Sequence, residues 1–226
     1  MSDQKPIFST RSAGEAFMVE PADGTPGPGV LVLHSWWGLN DWTRDFCRRI
    51  ADLGYTVVGP DLLEGANPTS EAEAEQLLAE RSPDELSGLV MSAARTLRAV
   101  AKDPNAPIAV VGLSMGASMA LWLAARQPEE VTAAIVFYGT QSIDFDDATA
   151  TFQGHFGDAD HIVSEEDRVV TESFLRLGDN HTEFHVYPGA KHWFMEQGEN
   201  FDDEASQIAF ERMSRFLSSA LSSSAT

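Results

Sequence analysis

A tight turn flanked by two glycines constrains the fold of this chain more than any other segment. The apolar run at residues 108–111 leads into Gly112-Leu-Ser-Met-Gly116, and a helix-forming stretch follows at once. A strand, a sharp turn and a helix in this order lift the hydroxyl of Ser114 above the carboxyl end of a sheet. A side chain at either flank would collide with the neighbouring strand or helix, so glycine is required. The backbone N–H of Met115 would then be free to hold a developing oxyanion.

Strands and helices alternate along the rest of the sequence. Apolar runs predict strands at residues 14–20, 30–34, 55–59, 108–111, 133–138, 151–156 and 182–187. Amphipathic or helix-forming stretches predict helices at residues 41–53, 82–100, 115–126, 164–177 and 202–221, and residues 62–82 predict a loop followed by a helix. This alternation is typical of an α/β fold with a mostly parallel sheet and helices on both faces. We expect one domain over residues 1–226, with flexible ends at 1–12 and 218–226.

Composition excludes several classes of function. The 35 acidic and 15 basic residues give a formal charge of −20, which repels nucleic acid and anionic lipid. No apolar run is long enough to cross a membrane, and the amino terminus lacks the apolar core of a signal peptide, so we expect a cytoplasmic protein. We also expect a monomer or a weak homodimer. Cys47 is the only cysteine, which excludes an internal disulfide and a cysteine metal cage, and its helical context predicts a buried thiol.

Three polar residues form a candidate catalytic set. A serine hydroxyl needs a base to take its proton and a carboxylate to orient that base. Ser114, Asp160 and His192 occur in the order of an α/β-hydrolase triad, and each follows a predicted strand. Asp158 remains an alternative to Asp160, which we favour because the loop needs a few residues to turn back toward the histidine.

The choice of base among six histidines rests on position. His192 alone lies in a loop between the last predicted strand and the final helix. His155 and His185 lie inside predicted strands, where packing is their expected role. His34 ends a strand, and we expect it to support the loop that follows. The N–H of Trp36, in that loop, is the predicted second oxyanion donor beside Met115, and we expect Trp36 and Trp37 to line the substrate pocket.

Four segments together resemble the dienelactone hydrolase family of α/β-hydrolases. They are Val32-Leu-His-Ser-Trp-Trp-Gly-Leu-Asn40, Gly112-Leu-Ser-Met-Gly116, His155-Phe-Gly-Asp-Ala-Asp160 and Tyr187-Pro-Gly-Ala-Lys-His-Trp-Phe194. The resemblance implies a single-domain α/β-hydrolase fold without a large lid or a cofactor. It also implies a nucleophile at Ser114, an acid at Asp160, a base at His192, and oxyanion donors at the N–H groups of Trp36 and Met115.

The chain departs from the family archetype at three positions. The archetype has a cysteine where Ser114 stands, a glutamate where Ser35 stands, and a substrate-binding arginine where Glu196 stands. A carboxylate at the last position would repel an anionic lactone, unless Arg81 or Arg44 supplies the missing charge. The expected pocket residues are Ser35, Trp36, Trp37, Trp193 and Glu196.

These observations predict a serine hydrolase that cleaves small carboxylic esters or lactones through an acyl-enzyme. Thioesters are a further candidate substrate class. A second reading is a non-catalytic small-molecule binding protein on the same fold, and a third is a peptidase or acyltransferase. Covalent labelling of Ser114 followed by ester hydrolysis separates the first reading from the second.

Overall fold

The computed structural model describes residues 15–223. The chain divides after Asn105 into two compact units, whose described parts are residues 15–105 and 106–223. The predicted flexible end at residues 1–12 lies outside the described residues. A single domain over residues 1–226 stays a prediction.

The first unit is a three-stranded sheet with helices packed on it. Its strands are β1 (Ala16–Val19), β2 (Gly29–Leu33) and β3 (Thr56–Pro60), and its helices are α1 (Asp41–Ala51), α2 (Glu71–Ala79) and α3 (Pro83–Val100). The strand order is β1-β3-β2. β1 runs antiparallel to β3, whereas β2 runs parallel to it. Every residue of β2 and β3 is buried, as their continuous apolar sequences predict for strands covered on both faces.

Local sequence signals fix the ends of the helices in this unit. The Asn40 side chain accepts a hydrogen bond of 2.9 Å from the N–H of Thr43 and so caps α1. Ser82 and Glu85 form a capping box at the start of α3. Cys47 lies in α1 and is fully buried, which confirms the predicted thiol environment, and burial raises its pKa to about 12.

The second unit carries four parallel strands in the order in which they occur along the chain. The strands are β4 (Ile108–Leu113), β5 (Val131–Phe137), β6 (Thr151–Gly157) and β7 (Thr182–Tyr187). The helices are α4 (Met115–Arg126), α5 (Glu165–Leu177) and α6 (Asp203–Ser223). The register pairs Leu113 with Phe137, Phe137 with His155 and Gly157 with Tyr187. The carboxyl ends of the strands therefore meet at one edge, and the loops that carry the three candidate catalytic residues leave the sheet there.

The last helix is longer than predicted. It continues to Ser223, because Leu217 and Leu221, four residues apart on one face, are buried. Residues 218–223 of the predicted flexible end thus belong to α6, and residues 224–226 lie outside the described part. The flexibility of this end stays a prediction. The predicted fold class is confirmed: the strands are mostly parallel and alternate with helices. Among the described residues, no helix is long and apolar enough to cross a membrane.

Candidate active site

The turn at Ser114 is strained and tightly held. Ser114 has a φ of 52°, a value that side-chain-bearing residues rarely adopt. Its N–H donates to the carbonyl of Phe137 at 2.9 Å, and its carbonyl accepts from the N–H of Ala117 at 2.9 Å. A Cβ on Gly112 would lie 2.2 Å from the carbonyl oxygen of Gly116. The glycine there is thus required by packing, as the motif predicts.

The structure brings Ser114, His192 and Asp160 into one hydrogen-bonded chain. Ser114 Oγ lies 2.8 Å from His192 Nε2, and His192 Nδ1 lies 2.7 Å from Asp160 Oδ2. A carboxylate only accepts hydrogen bonds, so the proton of the neutral imidazole belongs on Nδ1. His192 Nε2 is then free to accept the hydroxyl proton of Ser114.

The surroundings of Asp160 favour its ionised form. Its Oδ1 accepts hydrogen bonds from the backbone N–H groups of Ile162, at 2.7 Å, and Val163, at 2.9 Å. Burial opposes ionisation, but the hydrogen bond and charge of His192 and the two backbone donors outweigh it and lower the pKa of Asp160. A charged Asp160 can therefore orient His192 and stabilise its protonated form.

Asp158, the alternative acid, has a different partner. It is exposed, and its Oδ1 accepts a hydrogen bond from the N–H of Gly189 at 2.6 Å. The N–H of Ala159 donates to the carbonyl of Ala190 at 3.0 Å. Asp158 therefore fastens the loop after β6 to the loop that carries His192, and it is Asp160 that contacts the imidazole.

The sequence did not reveal the residue behind the imidazole. Tyr138, directly after β5, is fully buried, and its ring centroid lies 5.1 Å from that of His192. Its hydroxyl donates a hydrogen bond of 2.9 Å to Glu196 Oε1. Burial, then the charge and hydrogen bond of Glu196, hold the pKa of Tyr138 well above its usual value. The one feature of the sequence that points to this position is the glycine after Tyr138. A Cβ on Gly139 would lie 2.4 Å from the carbonyl oxygen of Ser114, so the chain here packs tightly against the turn at Ser114.

Two predicted pocket residues of the second unit lie in its interior. Glu196 is only 3% exposed and is bound by Tyr138, so its carboxylate is part of the packed structure around the base. Trp193 is 4% exposed, and its ring meets that of His192 edge-on, with centroids 4.5 Å apart. His161, which is exposed, lies 6.2 Å from His192 and 6.0 Å from Trp193 between ring centroids. The sequence motifs assign no role to His161.

The other predicted residues lie in the first unit. His34 is fully buried, donates from Nδ1 to the carbonyl of Ser35 at 2.7 Å, and accepts from the N–H of Leu62 at 2.9 Å. It therefore supports the loop after β2, as predicted, and burial lowers its pKa. Ser35 Oγ accepts a 3.3 Å hydrogen bond from the N–H of Trp37. The pocket roles of Ser35, Trp36 and Trp37, and the oxyanion role of the Trp36 N–H, stay predictions.

The two arginines considered as substitutes for the missing family arginine have local partners. Arg81 forms an ion pair of 2.8 Å with Glu64, and Arg44 Nε donates to the carbonyl of Leu39 at 3.2 Å. Across residues 15–223, no cluster of three histidine, cysteine or carboxylate side chains is arranged to hold a metal ion.

The family model described as "Dienelactone hydrolase family" matches residues 15–221. The chain belongs to the dienelactone hydrolase family. A predicted carboxymethylenebutenolidase of Azospirillum brasilense is 28% identical over 215 residues, which cover 89% of this chain and 91% of that one. A relative of the same name from Aquifex aeolicus is 29% identical over 119 residues, and this match spans only 52% of that protein.

Solved structures share the fold. A dienelactone hydrolase-like promiscuous phosphotriesterase from metagenomic libraries superposes with a TM-score of 0.81 at 20% identity, covering 91% of this chain and 92% of that one. A thermophilic esterase of Thermogutta terrifontis, solved with propionate bound, gives a TM-score of 0.67 at 17% identity, covering 91% and 89%. At these identities the likeness shows the α/β-hydrolase fold alone. Family membership and fold together support a hydrolase.

Proposed function

We propose that this protein is a serine hydrolase that cleaves small carboxylic esters or lactones through an acyl-enzyme. One observation carries the proposal: Ser114 Oγ, His192 and Asp160 form a continuous hydrogen-bonded chain with distances of 2.8 Å and 2.7 Å. Nucleophile, base and orienting acid stand in the order that acyl transfer requires.

The proposed reaction follows from the protonation states of Ser114, His192 and Asp160. Ser114 Oγ attacks the ester carbonyl while its proton passes to His192 Nε2, and Asp160 stabilises the imidazolium that forms. The carbonyl oxygen becomes an oxyanion, and we expect the N–H of Met115, at the start of α4, to stabilise it. His192 then gives its proton to the leaving alkoxide, which departs as an alcohol and leaves the acyl group on Ser114. Water attacks this acyl-enzyme with His192 again as base, and the acid product leaves.

The backbone at Ser114 favours this proposal over a non-catalytic binding protein. A positive φ at a serine costs about 1–3 kcal/mol, and such strain persists where the surrounding structure enforces it, most often at functional sites. A binding protein without turnover needs neither the strained turn nor a base hydrogen-bonded to a serine hydroxyl.

The proposed substrates are neutral. The buried carboxylate of Glu196 binds Tyr138, which in turn packs against His192, and the whole chain has a formal charge of −20. A substrate carboxylate near these charges is disfavoured, most strongly at low salt. We therefore expect p-nitrophenyl butyrate to give a higher kcat/KM than mono-p-nitrophenyl succinate, which is similar in size and anionic. Equal values for the two esters would contradict this specificity.

The decisive experiment compares two serines of the same segment. Ser114→Ala should lose roughly six orders of magnitude in kcat on p-nitrophenyl butyrate and all labelling by a fluorophosphonate probe. Ser118→Ala is the control, because the hydroxyl of Ser118, one turn along α4, donates to the carbonyl of Thr140, whereas it is Ser114 that binds His192. The Ser118→Ala variant should still be labelled by the fluorophosphonate probe. Residual activity of Ser114→Ala above about a hundredth of the wild-type value would exclude Ser114 as the nucleophile. A wild-type protein that is neither labelled nor active would support the binding-protein reading.

A further inference from the structure

A second concave site lies within the second unit, apart from Ser114, His192 and Asp160. It is a cleft of about 440 Å³ between α6 and the sheet strands β6 and β7. The side chains that determine its chemistry are Gln153, His181, Glu183, His185, Arg212 and Arg215. We call it the arginine cleft. None of these residues has a role in the proposed hydrolysis.

The cleft concentrates positive charge in a strongly acidic protein. Arg212 and Arg215 are three residues apart in α6, so they share one face of the helix. Neither guanidinium forms an ion pair with a carboxylate of the described chain, whereas Arg168 and Arg176 of the same unit each bind a glutamate. Arg212 lies over the ring of Tyr187 at 5.4 Å, which holds it in place without neutralising it. Two guanidinium groups therefore face a concave surface without a counterion.

The one carboxylate that lines the cleft, that of Glu183, accepts a hydrogen bond from Gln153. Tyr187 Oη donates to His155 Nδ1 at 2.7 Å, and His155 Nε2 donates to Gln153 Oε1 at 2.9 Å. Gln153 Nε2 in turn donates to Glu183 Oε2 at 3.3 Å. Each donor in this buried chain points toward Glu183, so the carboxylate is its terminal acceptor. Glu183 is itself exposed, and its Oε1 also lies 3.3 Å from His181 Nε2. Its carboxylate is therefore engaged by Gln153 and His181, and it forms no ion pair with Arg212 or Arg215.

A histidine on the wall of the cleft has an unsatisfied atom. His185 Nε2 is buried and makes no hydrogen bond, although Glu183 Oε2 lies 3.9 Å away. Burial and the nearby charges of Arg212 and Arg215 lower the pKa of His185, against the opposing charge of Glu183. Both arginines therefore act on the same small volume as the unsatisfied imidazole. An anion in this volume would offset that charge.

We propose that the arginine cleft binds a small oxyanion, a carboxylate or a phosphate group, between Arg212 and Arg215. The planar guanidinium presents paired N–H donors that match the two oxygens of either group. The threonine hydroxyls that also border the cleft, Thr132 and Thr151, add polar lining at its rim. The ligand is separate from the ester substrate, because every residue of the cleft lies outside the Ser114–His192–Asp160 chain.

The test is isothermal titration of the full chain with sodium phosphate and, separately, sodium succinate, at ionic strength held constant with sodium chloride. Saturable binding of either probe is expected, and the tighter probe identifies the source as a phosphorylated or a carboxylated molecule. Arg215→Gln should weaken binding about tenfold, the effect of losing one charge-assisted contact. Arg215 is exposed, so this change leaves the thermal midpoint and the kcat/KM for neutral esters unchanged.

Two controls keep the proposal separate from general electrostatics and from the hydrolase site. Arg126→Gln removes the same charge from an exposed position at the end of α4 and should leave binding unchanged. Ser114→Ala should also bind the probe like wild type, and the ring resonances of His185 should shift on titration. Absence of saturable binding up to about 50 mM probe, or equal weakening by Arg126→Gln, would overturn the proposal. Either result would leave the ester hydrolase proposal intact.

Discussion

The hydroxyl of Tyr138 donates a 2.9 Å hydrogen bond to the carboxylate of Glu196, and both side chains are buried. Tyr138 also packs against the imidazole of His192, with ring centroids 5.1 Å apart. The candidate base thus has a carboxylate on either side: Asp160 binds it directly, and Glu196 is linked to it through a phenol. At the position where the family resemblance implies a substrate-binding arginine, Glu196 instead forms an internal hydrogen bond.

Tyr138→Phe tests the energetic weight of this bond. The substitution keeps the ring against His192 but removes a donor from the buried carboxylate of Glu196. We expect a loss of about 1–3 kcal/mol in the free energy of unfolding, the cost of removing one hydrogen bond from a buried carboxylate. Urea denaturation followed by tryptophan fluorescence measures it.

Tyr55→Phe is the matched control for this prediction. Tyr55 is 8% exposed, and its hydroxyl makes no hydrogen bond with a described residue. Its removal should change the free energy of unfolding by less than about 0.5 kcal/mol. Equal effects of the two substitutions would show that the Tyr138–Glu196 bond contributes no more than an ordinary phenol.

The two aspartates after β6 should differ sharply in their effect on catalysis. Asp160→Asn replaces the acceptor of His192 Nδ1–H by an amide that also offers a donor, which favours the wrong tautomer. In a serine protease this change costs about four orders of magnitude in kcat. Asp158→Asn keeps an oxygen that accepts from Gly189, so steady-state kinetics should show a change of less than about tenfold. If Asp158→Asn is the more damaging change, Asp158 is the acid.

The buried imidazole of His155 predicts a fall in stability below neutral pH. Burial, with the charges of His185 and Arg212, holds its pKa well below the ordinary 6.5. As the pH falls below 6.5, the unfolded chain takes up a proton at this site and the native protein does not. The free energy of unfolding should therefore decrease with falling pH, by up to about 1.4 kcal/mol per pH unit from this group.

Urea unfolding across this pH range checks the prediction. His155→Gln removes the titrating group, so the variant should lose less stability on acidification than the wild type. Above neutral pH the imidazole is uncharged in both states, and the difference between the two proteins should then stay constant. A pH dependence that is the same in both proteins would show that His155 does not contribute to it.

Local sequence patterns predict most of the fold and all three residues of the candidate triad. Glycine at positions 112 and 116 reported the close packing around Ser114, and Ser82 with Glu85 marked the start of α3, because these effects act within a few residues. The Tyr138–Glu196 bond joins residues 58 apart, and no short pattern reports it. The prediction that Glu196 lines the pocket rests on the resemblance to the family alone. Burial and the phenol partner, which depend on tertiary packing, decide what the carboxylate does here.

Glycine at position 157 should be essential, whereas Gly88 should be replaceable. A Cβ on Gly157 would lie 2.0 Å from the carbonyl oxygen of Ala190, so alanine there must push the two loops apart. We expect Gly157→Ala to cost about 1–3 kcal/mol of stability and to reduce kcat, because Asp160 and His192 lie on opposite loops.

Gly88 lies on the exposed side of α3 with no atom within 4 Å of its Cβ position, so Gly88→Ala should stabilise the protein by about 0.5–1 kcal/mol. Thermal unfolding and ester kinetics on both variants decide, and a fully active Gly157→Ala protein would contradict the close packing.

The contacts between these two loops also limit how family members can be recombined. Asp158 binds the N–H of Gly189, Ala159 binds the carbonyl of Ala190, and Gly157 leaves no space between the two backbones. The loop with Asp160 and the loop with His192 therefore form one structural unit that must be transferred together, although Asp160 and His192 are 32 residues apart in the chain. A chimera that takes the acid loop from one homologue and the base loop from another would misplace the carboxylate. One that transplants both loops together would keep the carboxylate of Asp160 in contact with the imidazole of His192.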